Sequence, residues 1–229
     1  MEAIVLAGGL GTRLRAVVSD LPKPMAPVAG RPFLAILLDQ LDQAGFEHVV
    51  LSVGYRREAI MEHFGDRYGR LALSYAVETH PLGTGGAIRL ALEQTQAPEL
   101  FVLNGDTYLA LDYSAMLAHH RRHGARLTLA AQQVADTHRY GALALQGDRV
   151  IDFLEKGRSG PGLINGGTYL LEPGLFDDQA LPEAFSFETD LLMPKVAELA
   201  PLAFITEGRF IDIGVPEDYA RAQTLFATP

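Results

Sequence analysis

The sequence predicts an α/β protein, a three-layer sandwich in which a mixed, mostly parallel central sheet lies between helices. In the first half, short apolar runs alternate with helical periodicity, which is typical of successive βαβ units. In the second half, strands follow one another with fewer long helices, which indicates a mixed sheet. No linker, repeat or low-complexity tract interrupts the chain, so we expect a single domain over residues 1–229, with halves of about 1–112 and 113–229.

The elements of the first half follow a regular order. The run EAIVLA predicts the first strand, and leucines at helical spacing predict a helix near residues 33–44, with Gly45 as its C-cap. The run HVVLSV predicts a strand, and a helix follows near residues 56–64. A strand over 71–77, a helix over 83–94 and the buried strand LFVLN complete this half. Right-handed crossovers then place these strands in one sheet.

The elements of the second half begin with a helix after Asp112. Four strands follow, in the runs RLTLAAQQV, YGALAL, RVIDFLE and INGGTYLL. A helix over 188–199, a strand at LAFIT and a last helix over 216–226 close the chain, and Pro216 suits a first helical turn. His119, His120 and His123 form a polar cluster at a helix end, and we interpret them as surface residues outside any nucleophile–base motif.

Composition excludes several classes of protein. The chain has 229 residues and no cysteine, so a metal must bind to oxygen or imidazole ligands, which favours hard cations such as Mg²⁺. A net charge of −9 argues against long nucleic acid as a partner. No apolar run approaches the roughly 20 residues of a membrane span, and MEAIVLAGG lacks signal-peptide features. We therefore expect a cytoplasmic protein with no membrane partner; an oligomer is not predicted.

A glycine-rich loop follows the first strand directly. Gly8, Gly9 and Gly11 let backbone amides approach an anion, so the loop is a candidate phosphate cradle, although a tight structural turn explains the glycines equally well. Leu14 stands where a dinucleotide-binding motif has its third glycine, and no Gly-Lys-Ser/Thr follows. A nicotinamide or P-loop enzyme is therefore not predicted.

Lys23 lies between Pro22 and Pro24. The fixed φ angles of the prolines stiffen this segment, so the lysine can hold a point charge against a phosphate, while Arg13 can add a planar guanidinium. The alternative is a rigid surface turn.

Two aspartates are candidate ligands for the metal. Asp106 follows the LFVLN strand, at the sheet edge where open α/β folds bind ligands, and Asp212 lies among apolar residues in a predicted late strand. Mg²⁺ usually takes one or two protein carboxylates, with phosphates and waters as its remaining ligands. The alternatives are a turn aspartate for Asp106 and a structural salt bridge for Asp212.

Together, the segments LAGGLGTRLR and LPKPMAPV resemble the signature of the sugar-1-phosphate nucleotidyltransferases, also called nucleotide-sugar pyrophosphorylases. The resemblance implies the Rossmann-like nucleotide-diphospho-sugar transferase fold, with a nucleotide-binding first half and a sugar-binding second half. It implies that Arg13 holds the departing pyrophosphate and that Lys23 contacts the phosphate under attack. It also implies that Asp106 and Asp212 bind one metal together, so the expected catalytic residues are Arg13, Lys23 and Asp106.

The resemblance also implies the residues that bind the nucleotide. The segment PLGTGGA begins a helix with several free amides, where a planar base can lie against the backbone; an ordinary helix N-terminus is the alternative. The expected nucleotide-binding residues are Leu6, Ala7, Gly8, Gly9, Gly11, Thr12, Arg13, Glu78, Pro81, Gly83, Thr84 and Gly85.

For the sugar phosphate, the family resemblance indicates three short segments. Glu155 can accept hydrogen bonds from sugar hydroxyls while Lys156 neutralises the phosphate, although an isolated Glu-Lys pair is usually a surface pair. Glu188 and Lys195 are lesser candidates, with a helix N-terminal acid and a solvated lysine as alternatives. The expected sugar-phosphate residues are Tyr140, Gly141, Glu155, Lys156, Asn165 and Gly166.

The runs PLGTGGAI, LNGDT, LINGGTYLL, FSFETDLL and FIDIGVPEDY are most similar to the heptose 1-phosphate guanylyltransferases of this family. The resemblance implies that GTP and D-glycero-D-manno-heptose 1-phosphate react with Mg²⁺ to give a GDP-heptose and pyrophosphate, for capsule or surface polysaccharide synthesis. The alternatives are a mannose 1-phosphate guanylyltransferase, an N-acetylmuramate 1-phosphate uridylyltransferase and a non-catalytic regulatory subunit that binds nucleotide sugars.

Overall fold

The structure, a computed structural model, describes residues 1–9, 21–177 and 179–227. The strands are β1 (Glu2–Leu6), β2 (Pro27–Val28), β3 (Arg31–Pro32), β4 (His48–Val53), β5 (Arg67–Tyr68), β6 (Leu71–Val77), β7 (Leu100–Asn104), β8 (Thr107–Leu109), β9 (Leu127–Val134), β10 (Ala142–Gln146), β11 (Arg149–Leu154), β12 (Gly162–Leu171), β13 (Leu202–Thr206) and β14 (Phe210–Asp212). The α-helices are α1 (Phe33–Gln43), α2 (Arg57–Phe64), α3 (Gly83–Leu92), α4 (Tyr113–Arg122), α5 (Val196–Leu199) and α6 (Pro216–Leu225). Two 3₁₀ turns, Lys23–Met25 and Pro173–Phe176, and a π-helix, Phe187–Leu192, complete the set.

Ten strands form one mixed sheet in the order β10-β11-β13-β9-β12-β7-β1-β4-β6-β5. The neighbours β7, β1, β4 and β6 are parallel, as the βαβ rhythm of the first half predicts. Strand β12 joins the halves, because it pairs antiparallel with β7 on one side and with β9 on the other. The predicted three-layer α/β class with a mixed sheet is confirmed.

Two hydrophobic cores lie on opposite faces of this sheet. On one face, α1, α2, α4 and α6 cover the strands, and the leucines of α1 that predicted the helix are fully buried. On the other face, the sheet packs against α3, the turn Pro173–Phe176 and the π-helix. Burial of a leucine side chain contributes about 1.5–3 kcal/mol to stability. Turning a strand over would expose such side chains, so the apolar residues determine which side of each strand packs against which layer of helices.

Two details of the second half differ from the expectations. The helix predicted over 188–199 is wrong in form: a π-helix ends at Leu192, and only Val196–Leu199 is α-helical. Pro194 explains the interruption, because it lacks an N–H and restricts the residue before it. His120 is also not a surface residue; it is 2% exposed, and its Nδ1 lies 2.8 Å from the Thr128 hydroxyl.

Among the described residues, no helix combines the length and the apolar character that crossing a membrane requires.

The parallel strands define the edge at which a site can form. Strands β1, β4, β6 and β7 share one direction, so their carboxyl ends lie side by side. Open α/β sheets bind ligands at this edge. Beside it, the short strands β8 and β14 form a separate antiparallel pair.

Candidate active site

A cavity of 860 Å³ opens at the carboxyl edge of the parallel strands. Its walls include residues that follow four of them within two positions: Gly8 after β1, Gly54 after β4, Glu78 after β6 and Asp106 after β7. Of the predicted nucleotide-binding and catalytic residues, those that line the cavity are Leu6, Gly8, Gly9, Lys23, Glu78, Pro81, Gly83, Thr84 and Asp106.

Pairing of β8 with β14 brings the two predicted metal ligands to the same place. Asp212 stands opposite Thr107 in this pair, and the backbone N–H of Ile213 donates to the carbonyl of Asp106 at 3.0 Å. Residues 106 and 212 are far apart in sequence, and a three-residue strand is too short to predict their register. The structure therefore supplies the proximity that sequence spacing does not show.

Lys23 connects the two carboxylates. Its Nζ lies 2.5 Å from Asp106 Oδ2 and 3.9 Å from Asp212 Oδ1. The 3₁₀ turn Lys23–Met25, with Pro22 before it, fixes the backbone from which this side chain extends, and the side chain is only 12% exposed. The interpretation of a rigid surface turn is therefore wrong; the lysine is a largely buried partner of two acids.

The pKa of Asp212 is raised above the ordinary value of an aspartate. Burial and the neighbouring Asp106 carboxylate raise the pKa of Asp212, while Lys23 and the Gly214 N–H act in the opposite direction. Two carboxylates thus share one close ammonium group, and Arg139 adds only a weaker favourable charge at Asp212. A divalent cation would compensate the negative charge of the two carboxylates.

Gly214 packs closely against this charged group. Its N–H donates to Asp212 Oδ1 at 2.7 Å. A Cβ at this position would lie 2.7 Å from the same oxygen and 3.0 Å from Lys23 Nζ, so only glycine fits without displacing them. Two carboxylates that share one close ammonium group fit the oxygen ligands that Mg²⁺ prefers, and Asp106 and Asp212 would hold it.

Glu78 is held in a fixed position at the opposite wall. Its Oε1 accepts a hydrogen bond from the buried Ser52 hydroxyl at 3.3 Å, and its Oε2 accepts one from the Leu82 N–H at 3.1 Å. A Cβ on Gly8 would overlap Glu78 Oε1, so the glycine loop and this carboxylate pack directly against each other. An ionised carboxylate has about four acceptor sites, so Glu78 keeps capacity for a ligand.

Helix α3 begins against the segment before the π-helix. The N–H of Gly85 donates to the carbonyl of Phe185 at 2.9 Å, and a Cβ at Gly85 would overlap the Phe185 ring. Thr84 Oγ1 accepts from the N–H of Phe187 at 2.8 Å. Close packing thus explains one glycine of the PLGTGGA segment, and Gly85 lies behind the cavity wall.

A second polar group lies where β12 meets the π-helix. The Tyr169 hydroxyl donates to Glu188 Oε1 and accepts from Asn165 Nδ2 at 2.7 Å, while Asn165 Nδ2 is also 3.2 Å from Glu188 Oε1. Tyr169 and Glu188 line the cavity. Burial, and next the Glu188 carboxylate, raise the pKa of Tyr169 well above its usual value, so the hydroxyl stays protonated.

The remaining predicted sugar-side residues lie outside the cavity wall. Tyr140 packs edge-on against Phe210 of β14, with ring centroids 5.6 Å apart, so it approaches the Asp212 strand. Glu155 and Lys156 are exposed after β11, and Gly141 packs against this segment. Gly166 lies in an irregular part of β12, where a Cβ would be 2.9 Å from the Ala130 carbonyl. Their roles stay predictions.

Gly11, Thr12 and Arg13 lie outside the described residues. Ala7 is buried, and its N–H donates to the Ser52 carbonyl at 2.8 Å, so it supports the loop from behind the wall.

Several cavity residues carry no sequence signal for this position. Ser186, Phe187 and Glu188 form one wall, although Glu188 is predicted as a lesser sugar-side candidate. Tyr55 and His80 also line the cavity. Their positions depend on the π-helix and on loops after strands, and neither feature has a periodic pattern that sequence reasoning can detect.

The fold and this site are those of a known class of protein, the nucleotidyl transferases. Residues 2–228 match the model of the nucleotidyl transferase family, and the chain belongs to this family.

Three proteins of known name or structure are similar to this chain over nearly its whole length. The chain is 44% identical to the D-glycero-alpha-D-manno-heptose 1-phosphate guanylyltransferase of Aneurinibacillus thermoaerophilus, over 97% of both chains. It is 35% identical to the mannose-1-phosphate guanylyltransferase of Mycobacterium tuberculosis, over 96% of this chain and 63% of that protein. The crystal structure of HddC from Yersinia pseudotuberculosis complexed with GMP-PN superimposes with a TM-score of 0.88 at 38% identity, over 98% of this chain and 99% of that one.

Proposed function

We propose that this protein is a Mg²⁺-dependent guanylyltransferase that condenses GTP with D-glycero-D-manno-heptose 1-phosphate, forming a GDP-heptose and pyrophosphate. The observation that carries the proposal is the convergence of Lys23, Asp106 and Asp212 at one end of a cavity whose other wall holds Glu78. The similarity along nearly the whole chain to a heptose 1-phosphate guanylyltransferase supports the choice of substrates.

In the proposed reaction, an oxygen of the sugar 1-phosphate forms a bond to the α-phosphorus of GTP. The bond from this phosphorus to the oxygen bridging to the β-phosphate breaks, and its electron pair leaves with pyrophosphate. The attacking phosphate is already ionised at pH 7, so no side chain has to remove a proton. Catalysis then consists of positioning the two phosphates and neutralising their charge.

Lys23 is a side chain of the protein that can neutralise the charge of the phosphates. The turn Lys23–Met25 and the carboxylate of Asp106 hold its ammonium group at the cavity, where it can contact the phosphate under attack. Mg²⁺ bound by Asp106 and Asp212 would supply further neutralisation of the phosphates. By the family resemblance, Arg13 and the glycine loop receive the departing pyrophosphate. By the same resemblance, the residues on the sugar-phosphate side are Tyr140, Gly141, Glu155, Lys156, Asn165 and Gly166.

Glu78 is suited to select guanine. A carboxylate only accepts hydrogen bonds, and guanine presents two adjacent donors, its N1–H and its exocyclic amine. Ser52 and Leu82 fix the carboxylate, so base selection needs no rearrangement of this side chain. Pro81, Gly83 and Thr84 form the adjacent wall, against which the base can lie.

A matrix of reactions tests the proposal. Four nucleoside triphosphates are each combined with heptose, mannose, glucose and N-acetylmuramate 1-phosphates, and Mg²⁺-dependent pyrophosphate release is measured. We expect the largest rate with GTP and the heptose phosphate. Binding of nucleotide sugar without pyrophosphate release in any combination would instead support a regulatory protein, and a largest rate with UTP and N-acetylmuramate 1-phosphate would support the uridylyltransferase.

The second candidate is a mannose 1-phosphate guanylyltransferase, which the 35% identity to such an enzyme favours. The heptose has the manno configuration and one more carbon, so the two substrates share their ring contacts and differ beyond the ring. The mannose arm of the matrix separates them: a kcat/KM for mannose 1-phosphate above that for the heptose phosphate would select the second candidate.

The variant Glu78→Gln tests selection of the base. Its amide nitrogen would present a donor to the donors of guanine, so we expect kcat/KM for GTP to fall about 10- to 100-fold, the value of one hydrogen bond to a charged group. The fall for UTP should be smaller. Glu93→Gln, on an exposed residue at the end of α3, is the matched control. Equal losses for GTP and UTP would show that Glu78 does not read the base.

A further inference from the structure

The C-terminal end of α4 carries two imidazoles one helical turn apart, His119 and His123. Asp148 lies near them, in the turn between β10 and β11. One ligand atom from each of the three side chains lies within 4.8 Å of the others. Within residues 1–9, 21–177 and 179–227, this is the one such group of three or more histidine and acidic side chains, and none of the three lines the cavity.

The hydrogen bond of His123 selects the tautomer that binds metals. Its Nδ1 lies 2.9 Å from the backbone carbonyl of His119. A carbonyl oxygen only accepts, so Nδ1 carries the proton and Nε2 retains a free lone pair. Histidine ligands of metals characteristically donate their second ring nitrogen to a backbone carbonyl or carboxylate, which fixes the ring.

His119 has a polar atom that the fold leaves unused. Its Nε2 is buried and has no hydrogen-bond partner among the described residues. The ring lies 4.5 Å from the ring of His123 and 5.7 Å from that of Phe204, measured between centroids, so packing holds it beside its neighbour. Buried polar atoms without a partner are uncommon in proteins, and a bound ion is one of their explanations.

We propose that His119, His123 and Asp148 form a binding site for a first-row divalent cation that prefers imidazole, of which Zn²⁺ is the representative. Such cations bind neutral imidazole and carboxylate together, with water in the remaining position, whereas Mg²⁺ prefers oxygen ligands alone. The site is thus chemically distinct from the aspartate pair at the cavity.

The three ligands can reach a common ion without a change of fold. Asp148 is exposed, so rotation of its side chain can close the remaining distance to the ion while His123 keeps its hydrogen bond to the His119 carbonyl. His120, between His119 and His123 in sequence, contacts the Thr128 hydroxyl instead and is not a ligand of the proposed site. An ion here would connect the end of α4 to the β10–β11 turn, two segments at the surface of the sugar-side half, and would stabilise the folded state by binding it alone.

Calorimetric titration of the untagged protein with ZnCl₂, in excess MgCl₂ to occupy oxygen sites, tests the proposal. We expect one Zn²⁺ per chain, and an affinity at least about tenfold lower in His123→Ala, which loses one of three ligands. His63→Ala is the matched control, because His63 is also exposed near a helix C-terminus and belongs to no such group. Asp148→Asn should weaken binding less than His123→Ala. Equal binding by wild type and His123→Ala, or no binding by wild type, would overturn the proposal.

Thermal unfolding gives a second readout that does not depend on activity. Zn²⁺ should raise the Tm of the wild type and of His63→Ala, and at the same Zn²⁺ concentration it should raise the Tm of His123→Ala less. Since His123 is exposed, its replacement should leave the metal-free Tm close to that of the wild type. An equal rise in Tm for His123→Ala would place the stabilising ion elsewhere.

Discussion

The two polar groups of the cavity differ in how their charge is balanced. In the first group, Lys23 lies beside two carboxylates, and the pKa of Asp212 is raised because the cation only partly offsets burial and the Asp106 charge. In the second group, the single carboxylate of Glu188 accepts hydrogen bonds from two neutral groups, Tyr169 and Asn165. The first group has unbalanced charge, and the second has directional hydrogen bonds.

This difference indicates a division of work. Unbalanced negative charge favours a cation and, through it, phosphates, so the Lys23 group suits the chemical step. A carboxylate fixed by neutral donors suits the recognition of hydroxyl groups, because its remaining lone pairs have fixed directions. Variants of the two groups should therefore change different kinetic constants.

The largest effect is expected for Asp106→Asn. Removing this carboxylate deprives the proposed metal of a ligand and Lys23 of its close partner, so we expect kcat to fall about 10³-fold, the upper range for one electrostatic group. Pyrophosphate release at saturating substrates measures it. Asp112→Asn is the matched control, because asparagine also caps a helix such as α4. Near wild-type turnover of Asp106→Asn would contradict the assignment of the metal site.

A smaller and more selective effect is expected for Glu188→Gln. Glutamine keeps the shape of the side chain but lacks its charge, so we expect the kcat/KM for the sugar phosphate to fall about 10- to 100-fold. The KM for GTP should change little. Steady-state kinetics with each substrate varied in turn measures both constants.

Glu198→Gln, on the exposed side of α5, is the control for this variant. A loss confined to the GTP constants would show that Glu188 belongs to the nucleotide side, and the comparison between the two groups would then fail.

The smallest effect concerns the stability of Asp212→Asn without metal. A raised pKa means that the folded state binds more protons than the unfolded state between the ordinary Asp value and the raised value, so stability falls as pH rises through that window. At a pH above that window, the neutral asparagine avoids this cost, and we expect its Tm to exceed that of the wild type by about 2 °C. The difference should shrink on acidification through the window.

Thermal unfolding in EDTA measures this difference, with Asp112→Asn as the reference. A lower Tm for Asp212→Asn above that window would show that Asp212 stabilises the fold, and the contrast between the incompletely balanced Asp212 and the hydrogen-bonded Glu188 would not hold.

Sequence patterns predicted most of the fold because they report local rules. Leucine periodicity located α1, and the apolar run LFVLN located β7, since each element buries one face or both. The same reasoning did not predict the π-helix. The apolar pattern indicates one helix to residue 199, whereas Pro194 separates the π-helix from the short helix α5. Glu188 owes its place in the cavity wall to that irregular element.

The sequence by itself determined the parallel half of the sheet, the residues that follow its strands and the lysine between two prolines, because these features depend on neighbours within a few residues. Only the tertiary structure decided that Lys23 Nζ lies within 4 Å of both Asp106 and Asp212, and that Glu188 meets Tyr169. Those contacts depend on the register of β8 with β14 and on the packing of the π-helix against β12. Long-range pairing is set by the whole packed core, so no local pattern in the chain specifies it.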